Sequence, residues 1–386
     1  MRILFITSAL RKEFGGPPVA VVGASTSLAD LGNEVTVMVF GQTSQSIKEN
    51  QSFYSELEMH NVSVLVAKAR RTSIYGGSGN LKDLGKLISE IRKSEILSTH
   101  AIYNFQNILI YTITSMIRKP LIVMPHGTLT RYQSRIHKYR KLVVNLFFVN
   151  LFVRHVDAIL VATEIEKNEL DARLQEKSRV VGLGLRLIED LEMKSDVENT
   201  DKKFLFLGRI APVKRLDVAI EAFAYFVNRM NRNYRLIVCG SGNSEYVRSM
   251  VSLAADRDVL DLVEFRGWVD SNEKARVFSE CSWLMMTSEN ENFAMTVAES
   301  LAHGIPCIVS KNVALSSVVS NHGAGIVFQT LDPVEIADAM CALVTKDQHE
   351  MRSAAFKAGQ HFQWDNVARN WNESFEYVIK HRKINV

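Results

Sequence analysis

Short runs of β-branched and large apolar residues alternate along the chain with longer stretches whose apolar positions recur three and four apart. That alternation builds parallel sheets from β-α-β units. In the first half it predicts strands at 2–7, 34–40, 62–67, 121–124 and 158–162. A helix is expected at 18–31, opened by Pro18 and stopped by Gly32. The pattern restarts in the second half, with strands expected at 203–207, 234–239, 262–265, 283–287, 306–310 and 325–328 and helices at 216–230 and 245–255. A last helix, 367–381, carries Trp371, Phe375, Val378 and Ile379 on one face. Between the halves Glu189, Asp190, Glu192, Asp196, Glu198 and Asp201 crowd a polar segment with little to bury, which marks a linker at 188–202. The organisation read from the pattern is α/β: a doubly wound domain at 1–187, a second at 203–365, and a C-terminal helix at 366–386. In such sheets ligands sit at the carboxyl ends of the strands, near the point where strand order reverses. Two facing domains would hold their ligand in the cleft between them.

A chain of 386 residues suits two domains of roughly 150 residues each. Hydrophobic residues at 47% and charged residues at 23% exclude the disordered, collagenous and disulfide-scaffold classes. A membrane-spanning helix needs about 20 apolar residues, and the longest apolar stretch, 142–153, is interrupted by Asn145 and Asn150. The apolar run after Arg2 is short and meets Arg11, Lys12 and Glu13, so it reads as a strand rather than a leader, and a cytoplasmic location is expected. Cys239, Cys281, Cys307 and Cys341 lie in apolar sequence without metal-ligand spacing, as reduced core residues would. Charge is polarised: 24 Lys and Arg against 15 Asp and Glu in residues 1–187, and 22 against 27 in the remainder. Residues 96–156 contain no carboxylate, which points to an anionic partner for the first half.

Three segments carry candidate chemistry. Phe14-Gly15-Gly16-Pro17 lies between the first strand and the first helix, where glycines allow close main-chain approach and a helix start offers amides to an anion. Ordinary turn chemistry accounts for the same residues. From Lys203 the chain runs as a strand into Gly208, then presents Arg209 and Lys214 ahead of a helix. Arginine binds phosphate bidentately and lysine as a point charge, so the pair suits a diphosphate; solvated loop cations are the alternative. The densest segment is Ser288 to Pro306, in which a strand ends in polar residues, a helix is expected to start near Phe293, and Glu291 and Glu299 bracket that start. If the whole stretch were helical, the two acids would be separated by a rise of about 12 Å. That matches the span from a sugar ring across a diphosphate to a ribose, one acid per diol. The alternative is that both are acids of a helix start and surface, which the macrodipole favours by itself.

Taken in order, the glycine-rich loop, Pro125-His126-Gly127-Thr128, Gly208-Arg209 with Lys214, Gly267-Trp268-Val269, and the paired glutamates followed by Ala302-x-Gly304-x-Pro306 resemble the GT-B glycosyltransferases of the retaining family 4 type. The resemblance spans nearly the whole chain, is densest from 203 to 310, and reaches Phe362-x-Trp364. It implies a GT-B fold of two Rossmann-like domains facing a central cleft, with the nucleotide sugar held by the second. It also implies that Arg209 and Lys214 bind the donor diphosphate, Glu299 the ribose hydroxyls and Glu291 the hydroxyls of the transferred sugar. Main-chain groups at Gly208 and from Asn292, Phe293 and Ala294 to Met295 and Thr296 would add contacts, Gly15 and Gly16 would approach from the first domain, and His126 would sit beside the reacting sugar. For His126 a turn-stabilising loop histidine is the other reading. In this family retention is ascribed to same-face attack, so no protein nucleophile, cofactor or metal is expected. The lone Asp256-Arg-Asp258 reads as a surface turn.

The implied activity is transfer of a hexose from a nucleoside diphosphate sugar, UDP-glucose by frequency, to a polysaccharide or lipid-linked glycan of cell-envelope or exopolysaccharide synthesis. The rivals are a sugar-nucleotide epimerase or phosphorylase on the same scaffold and a non-catalytic nucleotide- or glycan-binding partner subunit. Two departures bear on the last. Glu291-Asn292-Phe293-Ala294 stands where many members have Glu-Gly-Phe-Gly, adding a methyl near the sugar, and Gly182-Leu183-Gly184 replaces Pro-Asn-Gly. The basic stretch from Arg131 to His155 has two readings. It is a helix docking on an anionic membrane or lipid diphosphate, gaining about 1 kcal/mol per cation, or a core helix with a solvated basic face. Peripheral attachment to the inner face of the cell membrane follows from the first. A mild pI of 8.7 and the lack of any nucleic-acid signature exclude a nucleic-acid partner.

Overall fold

The computed structural model describes residues 1–8, 10–11, 15–68, 81–100, 105–130, 155–186 and 202–384. The chain divides into two compact units, Met1–Arg186 with Trp364–Val386, and Leu187–Gln363. The linker expected at 188–202 and the basic stretch 131–155 fall almost wholly outside the described residues.

The first unit is built on seven parallel strands: β1 (Arg2–Thr7), β2 (Glu34–Gln42), β3 (Ser63–Lys68), β4 (Ile96–His100), β5 (Leu121–Met124), β6 (Ala158–Val161) and β7 (Ser178–Val180). Their order is β3-β2-β1-β4-β5-β6-β7, so the winding reverses between β1 and β4. Phe5 pairs with Val37 on one side and Ser98 on the other. Every residue of β4, β5 and β6 is buried, as expected of parallel strands covered on both faces. Strands β1 and β5 match the expected bounds, while β4 and β7 were not anticipated. Strand β4 reads Ile-Leu-Ser-Thr-His, whose last three residues are polar, and β7 has only three residues.

The second unit repeats the plan with β8 (Lys203–Leu207), β9 (Arg235–Cys239), β10 (Val263–Gly267), β11 (Trp283–Met286), β12 (Cys307–Ser310) and β13 (Gly325–Phe328). Their order is β10-β9-β8-β11-β12-β13, and here the reversal falls between β8 and β11. An aromatic cluster fills one face: Phe204 lies 4.8 Å from Trp283, and Phe226 meets Tyr234 edge-on at 4.7 Å. Cys239, Cys281 and Cys307 are buried free thiols, and Cys341 is partly buried.

The terminal helix Trp364–Ile384 belongs to the first unit and packs on the helix Gly16–Asp30. Trp371 and Phe375 are fully buried, and Trp371 Nε1 donates to the Gly182 carbonyl at 3.2 Å. The Trp364 indole lies against two glycines. A Cβ on Gly23 would come within 2.2 Å of its Nε1, and one on Gly184 within 2.3 Å of its Cδ2. The Gly182-Leu183-Gly184 departure thus has a packing role, since the bare backbone admits the ring. Among the described residues no helix is long and apolar enough to cross a membrane.

Candidate active site

In the second unit the candidate residues gather where the strand order reverses. The chain leaves β8 at Gly208, presents Arg209 to solvent, and forms a 3-10 turn, Pro212–Lys214, before the helix Leu216–Arg229. Across the reversal, β11 is followed by Thr287, whose hydroxyl donates to the carbonyls of Lys214 at 3.0 Å and Arg215 at 2.9 Å. The Glu289 amide donates to the Val213 carbonyl at 2.9 Å. These bonds stitch the two loops together and bring Lys214 onto Glu291, where they form an ion pair.

The three cations of the first loop are therefore not equivalent. Arg215 is committed internally: it meets the Asp217 carboxylate at 2.9–3.1 Å and Glu289 at 3.1 Å. Those hydrogen bonds, Asp217 first, hold its guanidinium charged. Lys214 is shared with Glu291. Arg209 is exposed and has no ion-pair partner among the described residues, which leaves its planar fork available to an anion.

The helix after β11 spans Met295–Ala302 and so starts near Phe293, as expected. Glu291 bridges Val313, its amide reaching Asn312 and its carbonyl accepting from Ala314 at 3.0 Å. These non-helical pairings exclude an all-helical path from Glu291 to Glu299. Ala294 forms the N-cap in the left-handed region, with φ 67° and ψ 64°, and no side chain caps the helix. A helix start of this kind directs main-chain amides, here those of Met295 and Thr296, toward whatever lies before it. Phe293 is buried edge-on against Phe362 at 5.7 Å. Within the helix, Glu299 accepts from Lys274 Nζ at 2.7 Å. Lys274 escaped sequence reading because its helix, Ser271–Glu280, presents no motif. Near the same helix end His303 bonds the Glu299 carbonyl at 2.7 Å and stacks on Phe278.

In the first unit Gly15, with φ of +68°, caps the helix Gly16–Asp30, and a Cβ there would meet nothing within 4 Å among the described residues. His126 follows β5 with φ of +50°. The next residue is fixed by Glu166, whose two carboxylate oxygens accept from the Gly127 amide at 2.7 Å and the Ala162 amide at 2.8 Å. Burial pushes the Glu166 carboxyl up while those two amides draw it back. The His126 ring meets His100, with His100 Nδ1 and His126 Nε2 separated by 2.9 Å. Neither His100 nor Glu166 was singled out from the sequence. Asp256 and Asp258 are exposed at a helix end, where Arg232 binds the Asp258 carbonyl at 2.9 Å. Among the described residues no three His, Cys, Asp or Glu side chains are grouped to hold a metal ion.

Two doubly wound parallel sheets, the first with a glycine-rich loop after β1 and the second with cationic and acidic loops at its reversal point, match the GT-B class of glycosyltransferases. Comparison with known proteins agrees over most of the chain: residues 14–187 match the model described as Glycosyltransferase Family 4, and residues 188–362 match Glycosyl transferases group 1. The chain belongs to this family of glycosyltransferases and is a transferase enzyme. The alpha-monoglucosyldiacylglycerol synthase of Streptococcus pneumoniae is 23% identical over 368 residues, covering 91% of this chain and 80% of that protein. The D-inositol 3-phosphate glycosyltransferase of Frankia alni is 29% identical over 184 residues, or 45% of each chain. Among solved structures, Anabaena Alr3699/HepE in complex with UDP has a TM-score of 0.75 at 18% identity, covering 98% of this chain and 100% of that one.

Proposed function

We propose that this protein transfers a hexose, with retention of configuration and without a metal ion, from a nucleoside diphosphate sugar to a glycan or lipid-linked acceptor. UDP-glucose is the donor this reading favours. The observation that carries it is the state of the cations after β8: Arg209 exposed and without an ion pair, Lys214 held on Glu291, both at the reversal point of the second sheet. The crystallised UDP complex of HepE and the name of the pneumococcal relative support the choice of a uridine nucleotide and a glucosyl group on lipid.

The chemistry follows from these residues. The bond between the anomeric carbon and the diphosphate oxygen breaks, and Arg209, Lys214 and the amides of Met295 and Thr296 neutralise the charge that gathers on the leaving group. Glu291 holds the sugar hydroxyls and Glu299, anchored by Lys274, the ribose diol. The acceptor oxygen bonds to the anomeric carbon from the face the diphosphate leaves, and its proton passes to the departing phosphate oxygen. In the first unit Gly15 and Gly16 serve the donor phosphates and His126 the transferred sugar.

The test is turnover with UDP, GDP and ADP sugars, with the product anomer assigned by NMR and the assay repeated in chelator. The reading expects UDP-glucose to be used best, the donor's anomeric configuration to persist, and chelator to have no effect. An inverted product, or activity abolished by chelator and restored by a divalent cation, would overturn it.

A further inference from the structure

The reading above gives His126 a role and leaves His100, its neighbour, without one. His100 ends β4 beside the reversal point of the first sheet, and it is 3% exposed. Its ring packs beside Phe5, at 5.5 Å, and Trp371, stacked at 6.2 Å with planes 12° apart, and those two rings also meet each other at 6.4 Å. Nδ1 faces His126 Nε2 at 2.9 Å, while Nε2 is buried without a hydrogen-bond partner among the described residues.

That orphaned nitrogen decides where the protons sit. A 2.9 Å separation holds one proton between the rings. If His126 donated it, the neutral His100 would carry its own proton on the buried Nε2, and a donor left unsatisfied there is penalised by about 1–3 kcal/mol. If His100 donates from Nδ1, its Nε2 is a bare lone pair, and as among backbone groups, where orphaned N–H donors are rarer than under-satisfied acceptors, that is the better tolerated case. The second arrangement wins. It leaves His126 with its proton on Nδ1, the ring nitrogen not engaged by His100. Burial draws both imidazoles below their ordinary range, His126 to about 4, so the pair is neutral at physiological pH. The backbone of the same loop is held independently, by Glu166 on the Gly127 amide.

We propose that His100 is a positioning residue for His126: donating from Nδ1, it fixes the neighbouring ring as the Nδ1–H tautomer, an oriented neutral donor for a hydroxyl of the transferred sugar. The inference rests on the reading that His126 meets that sugar.

The experiment is nitrogen-15 NMR of the histidine-labelled full-length protein, joined to kinetics of two variants. In the wild type His126 is expected to be protonated at Nδ1 and bare at Nε2. His100→Leu removes the donor and is expected to lower kcat on the order of tenfold to a hundredfold with donor KM changed less than about twofold. His100→Asn places an amide N–H where Nδ1 stood and is expected to restore kcat to within about threefold of wild type. A wild-type spectrum with His126 protonated at Nε2 would overturn the proposal, as would a folded His100→Asn protein as slow as His100→Leu. If His126→Ala turns over normally while the tautomer is as expected, the sugar contact fails and the assignment of the proton stands.

Discussion

Lys214 and Glu291, 77 residues apart in the chain, meet as an ion pair at the carboxyl end of the second sheet. In the proposed reaction one faces the leaving diphosphate and the other the sugar, so their contact joins the two halves of the donor. Lys214→Ala and Glu291→Ala are each expected to lower kcat/KM on the order of a hundredfold. Because each change strips the other of its partner, the double variant should fall well short of the product of the single losses. Initial rates over the four-member cycle measure this, and fully multiplicative losses would mean that the two groups act independently.

Arg209 is the contrasting case. It is exposed and makes no ion pair among the described residues, so removing it leaves no buried charge behind. Arg209→Ala is expected to change unfolding free energy by less than about 0.5 kcal/mol. The same variant should lose on the order of tenfold to a hundredfold in kcat/KM for the donor, through weaker neutralisation of the diphosphate. Paired urea unfolding and donor titrations separate the two effects. A variant as active as wild type would remove Arg209 from the site.

Trp364 and Gly184 supply a packing prediction. The indole occupies the space a Cβ would take on Gly184, with a separation of 2.3 Å from its Cδ2. Gly184→Ala must therefore displace a buried ring, and overpacking of this kind destabilises by about 1–3 kcal/mol. Urea unfolding should register that loss. In a Trp364→Ala background the same substitution should register much less, because the obstructing ring is gone.

These residues also mark how far the sequence could be read. All six strands of the second unit were legible, most as dense apolar runs such as Lys203–Leu207 or Cys307–Ser310, and Val263–Gly267 from its alternating Val263 and Phe265. Strand β4 was not, since Ser98, Thr99 and His100 look like surface residues yet are buried in mid-sheet. The same disguise hid His100. Arg209, Lys214, Glu291 and Glu299 lie in segments that the family resemblance marks, whereas Lys274 has no local signal. It becomes visible only when the fold sets its helix beside Glu299. The helix start near Phe293 was legible too, but periodicity does not register the left-handed turn at Ala294 or the pairing of Glu291 with Val313.

Ala294 itself yields the next prediction. It sits at φ 67°, where an L side chain is crowded against its own carbonyl, at a penalty of roughly 1–2 kcal/mol relative to glycine. Part of that is offset because glycine loses more entropy on folding. Ala294→Gly is thus expected to raise unfolding free energy by about 1 kcal/mol. A rise in thermal midpoint measures it. If the substitution is neutral or destabilising, contacts of the Ala294 methyl, which is buried, outweigh the backbone relief.

The imidazole pair contributes to the pH dependence of stability, together with His303, which burial also draws down, and against Glu56, Asp157 and Glu166, which burial pushes up. His126 is drawn from 6.5 to about 4 by burial, and His100 is drawn down by burial and by His126. Below about pH 6.5 the unfolded chain takes up protons at these positions that the folded pair refuses. The unfolded state therefore gains, and stability falls with falling pH, by up to about 1.4 kcal/mol per unit for each group until its folded-state value is reached. Above pH 7 both rings are neutral in either state, and this source of slope vanishes. Urea unfolding between pH 7 and pH 4.5 should show the decline, and His100→Leu should reduce its slope by removing one of the two groups. An unchanged slope in that variant would mean that the pair is not what the folded protein keeps unprotonated.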